Sequence, residues 1–524
     1  MADRRRWWAL IAMAASVLVV GLDLTVLNLA LPTIASQLHA STSDLQWFSD
    51  AYSLVIAAAI LPAGRLGDRY GRKRILLIAL ALFGVSSVLC SYAGNTGQLI
   101  AARAVLGIGA AAIFPMSLSV IPVLFRPEER QRAIALMASA TFLSFPIGPI
   151  VGGYLLDHFW WGSVFLINVP IVVLALAAVF FLLPESSSGQ RPGLDPIGVL
   201  LSSAGLTGLT YGFIQAGQNG WGDTTALAII GTSVVVLAAF IGWEQRKAER
   251  GPLIELGLFR SAGFTWGTIL ITLVSFAMFG LFFAMPQYFQ EVRGVNAMGS
   301  GLRLLPLIGG MVVGMIGGTR LASPRQSAGG PRQPVASSKA LIAIGFAVMA
   351  IGIWLGATTT VASSTGFTMA WVAVAGLGLG MAMPQGMNIA LGALSAERSG
   401  SGSALISAMR QVGATIGVAV LGTVLSSGYH SKLDVNGLPG TLATVAKSSV
   451  SGGVGVAKAL HSTTLLDSVR IAFVHGMDTM LWACGGIALV SAILAVLFVP
   501  RRTSEPAELA GADETSPERA GLGL

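Results

Sequence analysis

Charge is scarce in this sequence. Only 11% of its 524 residues are Asp, Glu, Lys or Arg, whereas 54% are hydrophobic and the mean hydropathy is +0.75. A soluble domain cannot bury that much apolar material, which excludes an ordinary globular protein and points to the bilayer. Cysteine is scarcer still: Cys90 and Cys484 both fall within apolar runs, so neither a disulfide scaffold nor a thiolate metal site has its residues. The five histidines, at 39, 158, 430, 461 and 475, fall in loops or at the mouths of the apolar runs. There is no GxxxxGK[ST] nucleotide loop, no His-Glu-x-x-His and no nucleophile set beside a histidine, so neither an enzyme nor an ATP-driven pump is supported.

What the sequence does contain is long apolar runs. A helix needs about 20 of these residues to cross a hydrocarbon core about 30 Å thick. Such runs cover 7–30, 47–63, 75–93, 99–124, 133–156, 164–183, 197–216, 225–243, 264–286, 300–319, 339–357, 366–388, 403–425 and 473–499, which predicts fourteen spans. The MADRRRWW start resembles a secretory signal, but its run is long, contains Asp23 and lacks a small-residue cleavage site; it reads as the first span.

The formal net charge of +8 and pI near 9.8 are a matter of placement. With the N-terminus in the cytoplasm, 24 of the 32 Lys and Arg fall in segments facing inward, and the short outward loops hold only Arg293. That bias predicts both termini in the cytoplasm and removes the case for a nucleic-acid partner. Long inward segments at 184–196, 244–262 and 320–338 group the spans as six, two and six. The expected organisation is an all-α integral membrane protein with an N-terminal six-helix half (1–183), two additional helices (184–262), a C-terminal six-helix half (263–500) and a disordered polar tail (501–524). Segment 426–472, rich in Gly, Ser and Val and without periodicity, is either an outer cap or a solvated loop, and no role is assigned to it.

The stretch GRLGDRYGRKRIL, 64–76, concentrates charge between two apolar runs. Read from the residues alone, Gly64, Gly67 and Gly71 allow a tight turn, and Arg65, Arg69, Arg72, Lys73 and Arg74 either fix topology or form a breakable latch with Asp68. The order of Gly64, Leu66, Asp68, Gly71, Arg72 and Lys73 resembles motif A of the major facilitator superfamily. GLDLTVLNLALP (21–32) and WFSDAYSL (47–54) resemble helices one and two of its fourteen-helix drug:proton antiporters. RAVLGIGAAAIFP (103–115) is similar to motif B, GPIVGG (148–153) to the core of motif C, and FLINVP (165–170), MPQYFQEVRG and SGSALISAMRQVGATIGVAVLG to further segments. The likeness covers about residues 15 to 500. Departures are Ala135 and Ser144 where motif C has glycines, WWGS (160–163) without the usual arginine, and 320–338 as a motif A counterpart lacking aspartate.

The resemblance implies the major facilitator fold, two six-helix halves plus two inserted helices, and an inner gate at Gly64, Asp68, Gly71, Arg72 and Lys73. It also implies an antiporter motif at Gly148, Pro149, Gly152 and Gly153. An ionisable residue inside a span is a functional candidate by default. Asp23, Asp50 and Arg103 fall at similar depth in the outer half and are the expected proton-coupling group, with Asp23, Asp50 and Asp478 as candidates for a cationic substrate. Each aspartate also has a plain alternative, a permanent pair for Asp23 and an interfacial position for Asp50 and Asp478. Arg303 and Arg410, placed near inner helix ends, are read as snorkelling. The aromatic and Met side chains Trp47, Tyr52, Phe142, Phe145, Phe276, Met278, Phe282 and Phe283 suit bulky lipophilic cations but define no pocket. The expected function is a monomeric, proton-coupled antiporter of the bacterial inner membrane. It would export lipophilic, often cationic drugs by alternating access, with small-molecule drugs, protons and the bilayer as partners and no cofactor beyond the proton gradient. The alternative is a dedicated exporter of one metabolite, antibiotic or lipid.

Overall fold

A computed structural model describes residues 3–185, 195–247, 256–322, 324–325, 333–334, 337–393 and 399–500; the side chains of some helical residues, Asp68, Phe142 and Phe145 among them, lie outside the described set, as do the Arg501–Leu524 tail and the other intervening stretches. The described chain is almost wholly helical. The helices up to residue 182 are α1 (Asp3–Leu38), α2 (Thr42–Tyr70), α3 (Arg72–Ser91), α4 (Thr96–Leu124), α5 (Pro127–His158), the short α6 (Ser163–Leu166) and α7 (Asn168–Leu182). A pair follows, α8 (Pro196–Asn219) and α9 (Thr224–Arg246). After a 3-10 turn at Leu256–Arg260 come α10 (Ala262–Gln287) with a π turn at Tyr288–Val292, α11 (Ala297–Ala322), α12 (Ser338–Gly356), α13 (Thr365–Gly392) and α14 (Ser399–Lys432). The chain closes with α15 (Gly440–Ser448), α16 (Val450–Ala459) and α17 (Thr463–Phe498). Two two-residue strands, Pro324–Arg325 and Gln333–Pro334, pair antiparallel between α11 and α12.

Helix starts are set by side chains that satisfy otherwise free backbone N–H groups. Ser41 and Asp44 form a reciprocal capping box on α2, and Asn95, Asp195, Asp223, Ser337, Ser364, Ser449 and Ser462 accept from the first turns of α4, α8, α9, α12, α13, α16 and α17. Several helices outrun the apolar runs. α1 continues to Leu38, α14 to Lys432, and α17 begins at Thr463. Segment 426–472 is therefore no plain loop. It carries the ends of α14 and α17 and the two short helices between them, with Ala446, Val450 and Val454 buried and the Tyr429 hydroxyl donating to Ala446 O at 2.8 Å.

Twelve helices among the described residues are long and apolar enough to cross a membrane, counting α6 and α7 as one, and the protein is a multi-pass integral membrane protein. The two expected spans outside that set are α2 and α5, whose 29 and 32 residues are long enough at about 1.5 Å per residue and include side chains outside the described residues. Two apolar cores organise the bundle. One is built almost wholly from α1 to α7, the other from α10 to α17. Between them runs a seam where α5 meets α11, α2 meets α14 and α1 meets α10.

The seam is tied by hydrogen bonds toward the end of the bundle opposite the α2–α3 turn. Gln290 Nε2 donates to Leu29 O at 2.8 Å, Gln46 Nε2 to Ala419 O at 3.1 Å, Thr42 Oγ1 to Ser448 O at 3.0 Å, and Asn296 Nδ2 to Asp157 Oδ2 at 2.6 Å. The α8–α9 pair lies outside both cores, with α8 packed on α14 and α2. Asp195 clasps its base, accepting from Gly198 N–H at 3.1 Å, Trp243 Nε1 at 3.0 Å and Lys247 Nζ at 3.1 Å. Burial alone would push this carboxyl up, but these donors and the lysine charge outweigh it and hold it below its usual range.

Candidate functional site

Asp23 sits a little past the middle of α1, and Arg103 eight residues into α4, which runs the opposite way, so the two come level. They form an ion pair between Arg103 Nη1 and Asp23 Oδ2, with both side chains essentially without exposure. Two charges withdrawn from water persist only where their remaining valences are met. Arg103 Nε donates to Phe48 O at 2.9 Å, its guanidinium carbon lies 4.2 Å from the centre of the Tyr52 ring, and the Phe165 ring is 6.0 Å away. Asn168 Nδ2 approaches the other carboxylate oxygen at 3.3 Å. Arg103 Nη2 is left with no hydrogen bond.

Asp50 does not join this cluster. Phe48 and Tyr52, which touch Arg103, are four apart and share a face of α2, whereas Asp50 lies two residues from each and so points about 200° away. It shares a face with Gln46, which reaches across the seam to α14. Asp50 is fully buried, and neither carboxylate oxygen has a hydrogen-bond partner. The expected trio is thus an ion pair plus a lone carboxyl on the seam side of the same helix. Asp478 lies elsewhere, on α17, which packs on α12, α14, α16 and α10; its Oδ1 is buried without a partner.

The charged stretch 64–76 departs from the expected loop. α2 runs through Tyr70, so Gly64, Gly67 and Asp68 are helical, and Gly71 alone makes the turn with φ +105° before α3 begins at Arg72. Arg and Asp side chains do not interrupt a helix, and Gly67 is a point of close approach where an added Cβ would strike the Met116 thioether. Arg72 Nη1 donates to Ser119 O at 2.9 Å, and Lys73 Nζ to Phe180 O at 2.7 Å while also lying 5.4 Å from the Phe180 ring centre. Glu185, just past α7, accepts from the Lys73 backbone N–H at 3.2 Å. The contacts described for this stretch join α3 to α4 and α7; the Asp68 side chain is outside the described residues. Gly71→Ala is expected to lose about 1–3 kcal/mol, because φ is in the left-handed region and the new Cβ would lie 2.5 Å from Glu185 Oε1. A melting curve of the purified protein in detergent measures this, and an unchanged midpoint would mean that the turn relaxes freely.

The GPIVGG segment lies on the seam. An added Cβ at Gly148 would strike Thr25, and at Gly152 it would lie 2.7 Å from Val26 Cγ1, both on α1; at Gly153 it would lie 2.6 Å from Met298 Cα, on α11. Pro149 is met from α11 by Gly301, whose own Cβ would strike the Pro149 carbonyl. Arg303, expected near an inner helix end, is instead the seventh residue of α11, toward the end where Asn296 meets Asp157, and bonds its own helix at Gly299 O at 3.0 Å. Arg410 lies twelve residues into α14, and its Nε has no partner. Phe276, Met278, Phe282 and Phe283 are buried in α10, and Trp47 packs 6.4 Å from Tyr211 of α8.

Sequence reasoning missed three groups. Asn168 was present in FLINVP with no role attached; a polar amide in an apolar run was the available signal. Glu185 and the bidentate Arg6–Glu129 pair, with both N–O distances 2.8 Å, join residues more than a hundred apart, which no local spacing reveals.

Comparison with known proteins agrees with this architecture. Residues 13–418 match the family model of the Major Facilitator Superfamily. The chain is 32% identical to the tetracenomycin C resistance and export protein of Streptomyces glaucescens, over 98% of this chain and 94% of that protein. It is 34% identical to the multidrug efflux pump LfrA of Mycolicibacterium smegmatis (94% and 96%) and 30% identical to the methyl viologen resistance protein SmvA of Salmonella typhimurium (93% and 97%). Its fold is similar to a bacterial homolog of the human lysosomal transporter Spinster in an inward-facing conformation, with TM-score 0.67, 16% identity and 95% and 97% coverage. It is also similar to a D-xylose–proton symporter, with TM-score 0.59, 14% identity and 94% and 98% coverage.

Proposed function

The chain belongs to the major facilitator superfamily, and from that premise we propose that it is a proton-coupled antiporter exporting lipophilic, often cationic drugs or toxic compounds by alternating access. The observation that carries the proposal is the buried Asp23–Arg103 pair, with Asp50 unpaired on the seam side of α2. A carboxylate held in a water-poor site by one arginine has two stable forms, ion-paired or protonated, and exchanges one for the other when a proton arrives. Protonation of Asp23 frees Arg103 from its charge partner. Asp50, facing α14, is then the carboxylate on hand for a cationic substrate at the seam. Names of the relatives, among them a multidrug efflux pump and a methyl viologen resistance protein, favour the same substrate class.

The proposal includes fourteen crossings, in which α2 and α5 also span, organised as 1–183, an added pair within 184–262, and 263–500. It places both termini in the cytoplasm of a bacterial inner membrane, and treats the working unit as a monomer with no cofactor. A second reading, a dedicated exporter of one antibiotic or metabolite, is favoured by the likeness to the tetracenomycin protein and to a probable actinorhodin transporter of Streptomyces coelicolor. Ethidium uptake into inside-out vesicles, with an imposed pH gradient and then a protonophore, tests both. Uptake that collapses with the gradient is expected. Absence of uptake by folded protein would sink the broad-range reading and leave the dedicated exporter.

A further inference from the structure

Phe165 and Asn168, three residues apart in FLINVP, share a face across the join of α6 and α7. Pro170 has no N–H to return to the Leu166 carbonyl, so one helical bond is missing at the join, while Ile167 keeps helical dihedrals (φ −60°, ψ −25°) and donates to Ser163 O at 3.1 Å. The join aims both side chains at the ion pair. Phe165 stands over Arg103, and Asn168 Nδ2 reaches Asp23 Oδ1 at 3.3 Å and Ser87 Oγ at 3.5 Å. Asn168 is fully buried, and its Oδ1 has no hydrogen-bond partner. A carboxylate only accepts, so the amide nitrogen must be the atom that faces it. The two oxygens of Asp23 are thereby divided: Oδ2 belongs to Arg103 and Oδ1 to Asn168.

We propose that Asn168 is a positioning residue for proton exchange at Asp23, holding the oxygen that Arg103 leaves free and serving both forms of the carboxyl. This rests on the reading of Asp23 as the coupling carboxylate. Oδ2 is occupied by a guanidinium that cannot give up its protons, so an incoming proton binds Oδ1. Ionised, Oδ1 accepts from the Asn168 amide; protonated, it donates to Asn168 Oδ1 once the amide turns over. No other neutral side chain of this size offers a donor and a carbonyl acceptor from one planar group.

Infrared titration of the protonated-carboxyl band, on the full-length protein in liposomes, tests this without knowledge of the substrate. Asp23→Asn identifies the band. In Asn168→Leu and Asn168→Ala the midpoint of that band is expected about half to one pH unit higher than in wild type. The sign follows because the bond lost from the charged form is the stronger of the two. The two variants differ in the space they leave, so a shared shift assigns the effect to the amide, and either one suffices if the other fails to fold. An unmoved midpoint in both would overturn the proposal and leave Asn168 as packing. A band unaffected by Asp23→Asn would instead remove Asp23 from proton exchange, and the role of Asn168 with it.

Discussion

Asp23→Asn is expected to abolish pH-gradient-driven ethidium uptake into inside-out vesicles, with the protein still inserted. Asparagine keeps the shape of the side chain and removes both its charge and its titration. Arg103 then remains fully buried with no charge partner, and breaking one side of a buried pair costs about 3–5 kcal/mol. That corresponds to a change of roughly a hundredfold or more in any equilibrium that keeps Arg103 in this position. Loss of transport by misfolding is therefore a rival explanation, and the double variant Asp23→Asn/Arg103→Gln separates the two. With both charges gone the desolvation cost disappears and the melting midpoint should recover. Coupling should not, because nothing titrates at the site. Retained gradient-driven uptake in either variant would remove Asp23 from the mechanism, and recovery of uptake in the double variant would reduce the pair to a structural one.

The elements around this site differed in how far the chain betrays them. Hydropathy located the long helices but not their full length, and it missed α15 and α16; the polar ends of α14 and α17 extend past the apolar runs, α17 starting on its Ser462 cap and the two helices packing on each other. The GRLGDRY stretch was expected as a turn because its glycines suggested one, yet Gly67 is there for the approach of Met116 and only Gly71 bends the chain. Depth arithmetic put Asp23, Asp50 and Arg103 in one layer, and Arg103 reaches Asp23 on α1 and the Phe48 carbonyl on α2. It could not give their faces, and the i, i+4 relation of Phe48 and Tyr52 is what turns Asp50 away from Arg103. Asn168 escaped because its contact is with a partner 145 residues earlier, which no local spacing reveals.

Gly153→Ala carries the second large effect, through the seam rather than the charge. The added methyl would lie 2.6 Å from Met298 Cα, 3.0 Å from Met298 N and 3.2 Å from Ala297 O. All three are backbone atoms at the start of α11, so no rotamer change relieves the contact, and overpacking of this kind costs about 1–3 kcal/mol. The strain belongs to this conformation, in which α5 and α11 are closed and Asp157 accepts from Asn296. A conformation with that seam parted would not feel it. The substitution should thus shift the balance toward the parted form by roughly 5- to 150-fold and slow the transport cycle, since a transporter held in one state turns over poorly. Cys90 and Cys484 are fully buried, so a cysteine placed at Ala297, itself 6% exposed, can be labelled against a low background. Labelling of Ala297→Cys by a membrane-impermeant maleimide should rise with Gly153→Ala and not with Gly231→Ala, where an added Cβ meets nothing within 4 Å. Equal labelling and equal ethidium uptake in the two glycine variants would mean that α5 and α11 absorb the methyl without parting, and the GPIVGG glycines would then serve packing alone.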